Sequence, residues 1–219
     1  MLLEWLLPKR CVGCGGEGNW LCLACFETIE LKSTPACADC QRLTIDGRFC
    51  RFHRKDHALT GLLSVDDFSP GVLREAIHVL KYNGVRELAH PLAYLLWQRL
   101  SASSLTGALI LPVPLHPKRE SLRGFNQAAL LARGLPAVDM TILVKYRATT
   151  PQADLDHIKR KTNLTGAFGI RQESAGKIIG KKIILVDDVS TTGATLDMIA
   201  DLLRHHGARQ VWGLVLAKG

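Results

Sequence analysis

Lys181 to Leu196 reads KKIILVDDVSTTGATL, and its residue types could do chemistry. An apolar run leads into two adjacent carboxylates, Asp187 and Asp188. A run of hydroxyls and small residues follows: Ser190, Thr191, Thr192, Gly193, Ala194 and Thr195. Where a helix begins, free backbone N–H groups and the helix dipole favour an anion, and small side chains let the backbone close around a phosphate. The two carboxylates would repel that phosphate. One ribose-length away, however, they can accept hydrogen bonds from sugar hydroxyls. The stretch therefore fits a ribose 5-phosphate, with acids at O2′ and O3′ and the loop at the 5′-phosphate. One acid could serve as a helix cap, but two adjacent acids before a hydroxyl loop exceed that need. The loop carries neither G-x4-G-K-[ST] nor G-x-G-x-x-G, so neither a P-loop nor a dinucleotide site is indicated there.

A second set of reactive residues lies at the other end of the chain. All seven cysteines fall in the first fifty residues, as Cys11-x2-Cys14, Cys22-x2-Cys25, Cys37-x2-Cys40 and Cys50, with His53 completing a fourth pair. A C-x2-C turn presents two thiolates to one tetrahedral ion, so four pairs make two four-ligand zinc sites with no open position, which makes the metal structural. Sequential use of the pairs is favoured over alternating use, and His57 is an alternative to His53. The odd cysteine count argues against a disulfide framework.

These residues need elements to hold them. A chain of 219 residues can bury one substantial core and carry a small accessory module. The expected division is a zinc module over residues 1–57 and an α/β domain over 58–219. Residues 59–68 read as a strand. Val72, Leu73, Ala76, Ile77 and Leu80 have helical spacing, with Ser69-Pro70 as the cap and Gly84 past the end. A helix over 85–100 and a strand over 108–113 follow. Then come a helix over 124–133, strands over 140–144 and 183–186, a helix over 194–206 and a strand over 210–216. Alternating strands and helices predict a mainly parallel sheet flanked by helices, with ligands beyond the carboxyl ends of the strands.

Charge is uneven. Residues 115–182 hold thirteen Lys or Arg against five Asp or Glu, an excess of eight that equals the chain's whole +8. An anionic ligand is expected there, though charge alone does not separate nucleic acid from a small polyphosphate. No apolar run approaches the roughly 18 residues of a membrane span, and Glu4 interrupts the apolar start MLLEWLLPKR, so a cytoplasmic protein without membrane insertion is expected.

IILVDDVSTTGAT is similar to the phosphoribosyl-pyrophosphate (PRPP) signature of type I phosphoribosyltransferases, with Ser190 where that signature prefers an apolar residue. LKYNG (80–84), PVPLHPKRESLRGFNQAALLA (112–132) and YRATTPQADLDHIKRKTNLTGAF (146–168) resemble the ComF/GntX family, linked to bacterial DNA uptake and use of DNA as a nutrient. The resemblance implies a type I phosphoribosyltransferase-like fold that binds PRPP with Mg²⁺ and displaces pyrophosphate from C1′, with Asp187 and Asp188 at the ribose. It further implies a pyrophosphate loop with Lys118, Arg119 and Arg123. One of Pro112, Pro114 and Pro117 is a candidate for a cis bond, and Asn126 and Gln127 are candidates to cap or orient the loop. A mobile hood would carry Arg147, Gln152, Arg160 and Asn163, with His157 a weaker candidate base. The acceptor is left open. The alternative is a non-catalytic module of the same fold that binds single-stranded DNA or DNA-uptake proteins.

Overall fold

In a computed structural model of the chain, residues 8–32, 34–147 and 166–219 are described. Ile183, Ile184, Leu185 and Val186 are fully buried, as a strand covered on both faces requires. They belong to β5 (Lys182–Ser190), inside a parallel sheet with β1 (Gly61–Asp67), β2 (Leu109–Pro112) and β6 (Gln210–Lys218), in the order β1-β6-β5-β2. One face of the sheet (Ile184, Val186, Trp212, Leu214) packs on three helices, α2 (Val72–His78), α3 (Ala89–Ser101) and α5 (Gln127–Ala132). The opposite face (Ile183, Leu185, Val211, Val215) packs on α6 (Ala194–His205). The short helices α1 (Leu23–Glu27) and α4 (Pro117–Arg123) have no buried residue.

The N-terminal residues straddle the β1 edge. Val12, Trp20, Leu21 and Phe26 pack on the α2/α3 face, while Cys37, Phe49 and Cys50 belong to the core on the α6 face. Backbone bonds run along the edge between them: Lys32 N–H donates to Val65 O (2.8 Å) and Phe49 N–H to Thr60 O (3.1 Å). An exposed strand edge invites pairing with other chains, and this one is covered. The fit depends on two glycines. A Cβ on Gly61 would stand 2.5 Å from Gly47 O, and one on Gly47 would stand 2.6 Å from Leu62 O.

Several sequence expectations are corrected. The strand expected at 140–144 is β3 (Leu143–Lys145), and it leaves the parallel sheet to pair antiparallel with β4 (Phe168–Ile170). The helix expected over 124–133 is two helices, because Gly124 takes φ 78° at the end of α4 and Asn126 caps α5. Gly71 is the N-cap of α2, not Ser69-Pro70. A π-helical turn, Val79–Asn83, continues α2 to Gly84, which ends it in the left-handed region at φ 72°. A 3-10 turn, Arg86–Leu88, precedes α3. Every described peptide bond is trans, those of Pro112, Pro114 and Pro117 included. Strand β5 runs on to Ser190, so Asp187 and Asp188 lie within it rather than beyond its end.

Candidate functional site

Adjacent residues of a strand point to opposite faces, so the paired acids have different surroundings. Asp188 is 3% exposed, and its Oδ2 lies 2.9 Å from Lys81 Nζ while its Oδ1 accepts from Val189 N–H at 2.6 Å. Asp187 is half-buried, and its Oδ1 accepts the Asp188 N–H (2.8 Å). Burial first, and then the neighbouring Asp188 charge, push the Asp187 carboxyl up to about 8 against the opposing pull of Lys81. The π-helical turn re-aims the residues that follow α2, and Lys81 is the residue it delivers.

The hydroxyl run divides into a strand end, a turn and a helix start. Ser190 closes β5, Thr191 and Thr192 make the turn, Gly193 sits at φ 74° as the N-cap, and Ala194 and Thr195 open α6. No side chain caps the helix. The Ser190 Oγ is buried and has no hydrogen-bond partner. Burying a hydroxyl without a partner is unfavourable, by roughly 1–3 kcal/mol, so this atom marks a place where a polar ligand would be welcome.

The cations gather on the other side of the acids. Lys118, Arg119 and Arg123 lie on α4 rather than on an irregular loop; His116 caps that helix through Nδ1, which accepts the Lys118 N–H (3.2 Å). Arg123 donates to Gln127 Oε1 (2.5 Å) and lies over the Tyr82 ring at 5.8 Å. Its ionisation is lowered by burial and by Arg119, and Asp188, Tyr82 and Asp187 oppose that shift, so α4 shares the field of the acid pair. Lys81, Tyr82, Asn83, Arg119 and Arg123 line an open cleft of about 520 Å³. Asn126 Oδ1 caps α5 by accepting the Ala128 N–H (3.0 Å), and its Nδ2 donates to Val113 O (3.0 Å), which fixes the turn between the two helices.

Arg147 is exposed just past β3, whereas Gln152, His157, Arg160 and Asn163 lie outside the described residues. Lys81, Tyr82 and Lys145 are not among the residues that sequence reasoning placed at the site. Lys145 lies over the Phe168 ring (4.8 Å), and its ionisation is lowered by burial and Arg119, with Asp187 opposing. Only the resemblance of LKYNG could have drawn attention to Lys81. Nothing in the local sequence marks Lys145.

The cysteine pairs assemble sequentially, into Cys11, Cys14, Cys22 and Cys25, and into Cys37, Cys40, Cys50 and His53, with the ligand atoms within 4.8 Å of one another. Cys11 and Cys22 Sγ are 3.6 Å apart, Cys40 and Cys50 Sγ 3.8 Å, and Cys50 Sγ and His53 Nδ1 3.3 Å. At Zn–S of about 2.3 Å a tetrahedral ion holds its sulfurs roughly 3.8 Å apart, so both donor sets fit zinc. Burial raises the Cys50 thiol, but the backbone N–H groups of Phe52 and His53 outweigh it and bring it down to about 6, toward the thiolate a metal needs. His57 is not a ligand: its Nε2 lies 2.8 Å from Asp39 Oδ2.

The comparisons with known proteins agree with this layout. The model of the phosphoribosyl transferase domain matches residues 122–219, and that of the double zinc ribbon domain matches residues 2–52. The DNA utilization protein YhgH of Escherichia coli K12 is 33% identical over 222 residues, 89% of this chain and 96% of that one. Competence protein F of Haemophilus influenzae is 32% identical over 225 residues, 95% and 97% of the two chains. Competence protein ComFC of Streptococcus pneumoniae is 26% identical over 199 residues, 89% and 86%. Among the described residues no helix is long and apolar enough to cross a membrane.

Proposed function

The chain belongs to the ComF/GntX family, with a phosphoribosyltransferase domain behind a double zinc ribbon, and from that premise we propose that it binds PRPP and transfers its ribosyl group within DNA uptake or the use of DNA as a nutrient. The observation that carries this reading is the junction of β5 and α6. Two carboxylates on the strand precede a turn with a left-handed Gly193, a helix start without a side-chain cap, and the unpartnered Ser190 Oγ. Residues 190–195 hold the 5′-phosphate, Asp187 and Asp188 accept from the ribose hydroxyls, and Lys118, Arg119 and Arg123 receive pyrophosphate. Of the hood residues, Arg147 would approach from β3, and Gln152, Arg160 and Asn163 from outside the described residues. Residues 1–57 form the zinc module and 58–219 the catalytic domain.

In the reaction the bond from C1′ to the pyrophosphate oxygen breaks, the electron pair leaves with pyrophosphate, and the acceptor's lone pair forms the new bond to C1′. Positive charge grows on the sugar, where Asp187 and Asp188 favour it, and negative charge grows on the leaving group, where the α4 cations favour it. Paired carboxylates whose repulsion holds Asp187 at about 8 are a donor set that suits a hard divalent cation. Mg²⁺ bound with PRPP supplies further neutralisation of the pyrophosphate charge. No covalent protein nucleophile is required.

Calorimetric titration with PRPP and Mg²⁺ tests the reading. Wild type binds and Asp187→Asn/Asp188→Asn binds at least tenfold more weakly; if wild type does not bind, the reading is lost. A second reading, a non-catalytic module for single-stranded DNA or an uptake protein, is favoured by one observation. Half-exposed Tyr94 and Trp97 line a cleft of about 370 Å³ with His90 and Arg133, a mixture of rings and charge suited to stacked bases and phosphates. That reading predicts DNA affinity that falls steeply with salt, and a flat log–log slope removes it.

A further inference from the structure

The second zinc ribbon lies against the phosphate turn. Asp39, Phe49 and His57 share a cavity of about 240 Å³ with Ser190, Thr191, Thr192, Gly193 and Lys218. His57 stands between the two sides. On the ribbon side its Nε2 lies 2.8 Å from Asp39 Oδ2, and its ring stacks on Phe49 with centroids 3.8 Å apart and planes 12° from parallel. On the other side its Nδ1 lies 3.6 Å from Asp197 Oδ1, in the first turn of α6. Asp197 Oδ1 also accepts the Leu59 N–H (2.9 Å), so the chain leaving the ribbon is bound to the same carboxylate.

We propose that His57 is a positioning residue that makes the second zinc ribbon a wall of the phosphate pocket and sets where the 190–193 turn stands. The α6 start has no side-chain cap, so the turn is not fixed by a local hydrogen bond of that kind. Instead, the helix behind it is gripped through Asp197 by a ring that the ribbon holds through Asp39 and Phe49. The buried, unpartnered Ser190 Oγ lies on this same cavity, which makes the cavity a place for a polar ligand and not a packing gap. Asp197 raises the His57 imidazole, burial opposes it, and Asp39 adds to the rise, which brings it to about 9 and leaves the ring a cation facing both acids at neutral pH. Where the inference names ribose phosphate as the occupant, it rests on the reading above. The mechanical claim about the turn does not.

The test uses the full zinc-loaded chain and two variants, His57→Ala and Asp197→Asn, with Arg204→Ala as control. Arg204 also bonds the linker, to Thr60 Oγ1 (3.0 Å), but from the far end of α6. Amide exchange over residues 190–196 is measured without added phosphates, zinc per chain by elemental analysis, and affinities for ribose 5-phosphate and inorganic pyrophosphate by calorimetry. His57→Ala and Asp197→Asn should speed exchange at 190–196 about tenfold and weaken ribose 5-phosphate about tenfold. Zinc should stay at two per chain and pyrophosphate affinity should not move, while Arg204→Ala changes neither readout. If His57→Ala sheds zinc, Asp197→Asn decides, since it leaves the ribbon side intact. Unchanged exchange at 190–196 in a zinc-loaded variant overturns the inference, and so does an equal loss of pyrophosphate affinity. If wild type binds no ribose 5-phosphate, the PRPP reading fails and exchange alone judges the role of His57.

Discussion

The second ribbon and the β5–α6 unit touch one another, yet they are held together by different forces. Residues 34–57 contribute Cys37, Ala38, Phe49 and Cys50 to the core and leave Leu43 and Ile45 at 69% and 77% exposed, so there is too little buried apolar surface to fix a chain of that length without a metal. Residues 182–205 bury a continuous strand on both faces and one side of a helix. One region is stabilised by four coordinate bonds at a point, the other by dispersed apolar contact. Two ways of holding a backbone meet at His57.

Removing the metal should have the largest effect. Structural zinc contributes about 10 kcal/mol or more to the folding of small ribbons. Cys37→Ser, or a strong chelator, should unfold residues 34–57, seen as full amide exchange there and zinc falling from two to one per chain for the variant. The parallel sheet should survive with its circular-dichroism signal largely intact. If the sheet melts together with the ribbon, the two regions are one cooperative unit and the contrast is wrong.

Truncating the core comes next. Leu185 is fully buried in β5 between Ile184 and Val186, and Leu185→Ala should cost about 3 kcal/mol, lowering Tm by roughly 6–12 °C. Both zinc ions should remain bound at temperatures below the transition. Early zinc loss in this variant would show that the ribbon depends on the sheet more than on its own ligands.

The two regions also differ in how openly the sequence displays them. Zinc ligands work at a spacing of two residues, so the four pairs and even their sequential use could be read locally. The acid pair and hydroxyl turn occupy nine consecutive residues, 187–195, and are equally visible. Lys81 was hidden because its reach to Asp188 depends on a π-helical turn, and a periodicity of 3.6 does not foresee that. The pairing of β3 with β4 was hidden because Leu143 meets Ile170 across a separation that carries no turn signal. His57 read as a spare zinc ligand because its sequence neighbours are ligands. Its partner Asp197 lies 140 residues away, and only the fold brings the two together.

A smaller effect separates function from stability inside the β5–α6 unit. The Asp187 carboxyl is raised to about 8 from an ordinary value near 4, so the folded chain holds that proton more tightly than the unfolded chain does. Its contribution is fully present below about pH 4 and is lost as pH rises toward 8. Asp187→Asn mimics the protonated form at every pH. It should therefore match wild type at pH 4 and exceed it by about 2 kcal/mol at pH 8 and above, while binding PRPP less well. Denaturant midpoints across that range measure it. A gain independent of pH would mean that packing, not charge, is responsible.

The smallest effect concerns the contact that ties the first ribbon to the other face. Lys9 Nζ lies 3.3 Å from Glu87 Oε1, just before α3, with side chains 41% and 59% exposed. Water and salt screen such a pair, so Glu87→Gln should change stability by no more than about 0.5 kcal/mol, and by nothing measurable in 1 M salt. Glu87 ionises below the usual range, first through its own backbone N–H, with burial opposing and Lys9 assisting. Whatever it contributes is therefore present above the ordinary carboxylate pKa and fades as pH falls through the lowered one. The apolar contacts of Trp20, Leu21 and Phe26 should keep the first ribbon seated without it. If Glu87→Gln instead frees residues 8–31 to exchange, the first ribbon is held by charge rather than by its buried side chains, and the two ribbons would attach to the sheet in different ways.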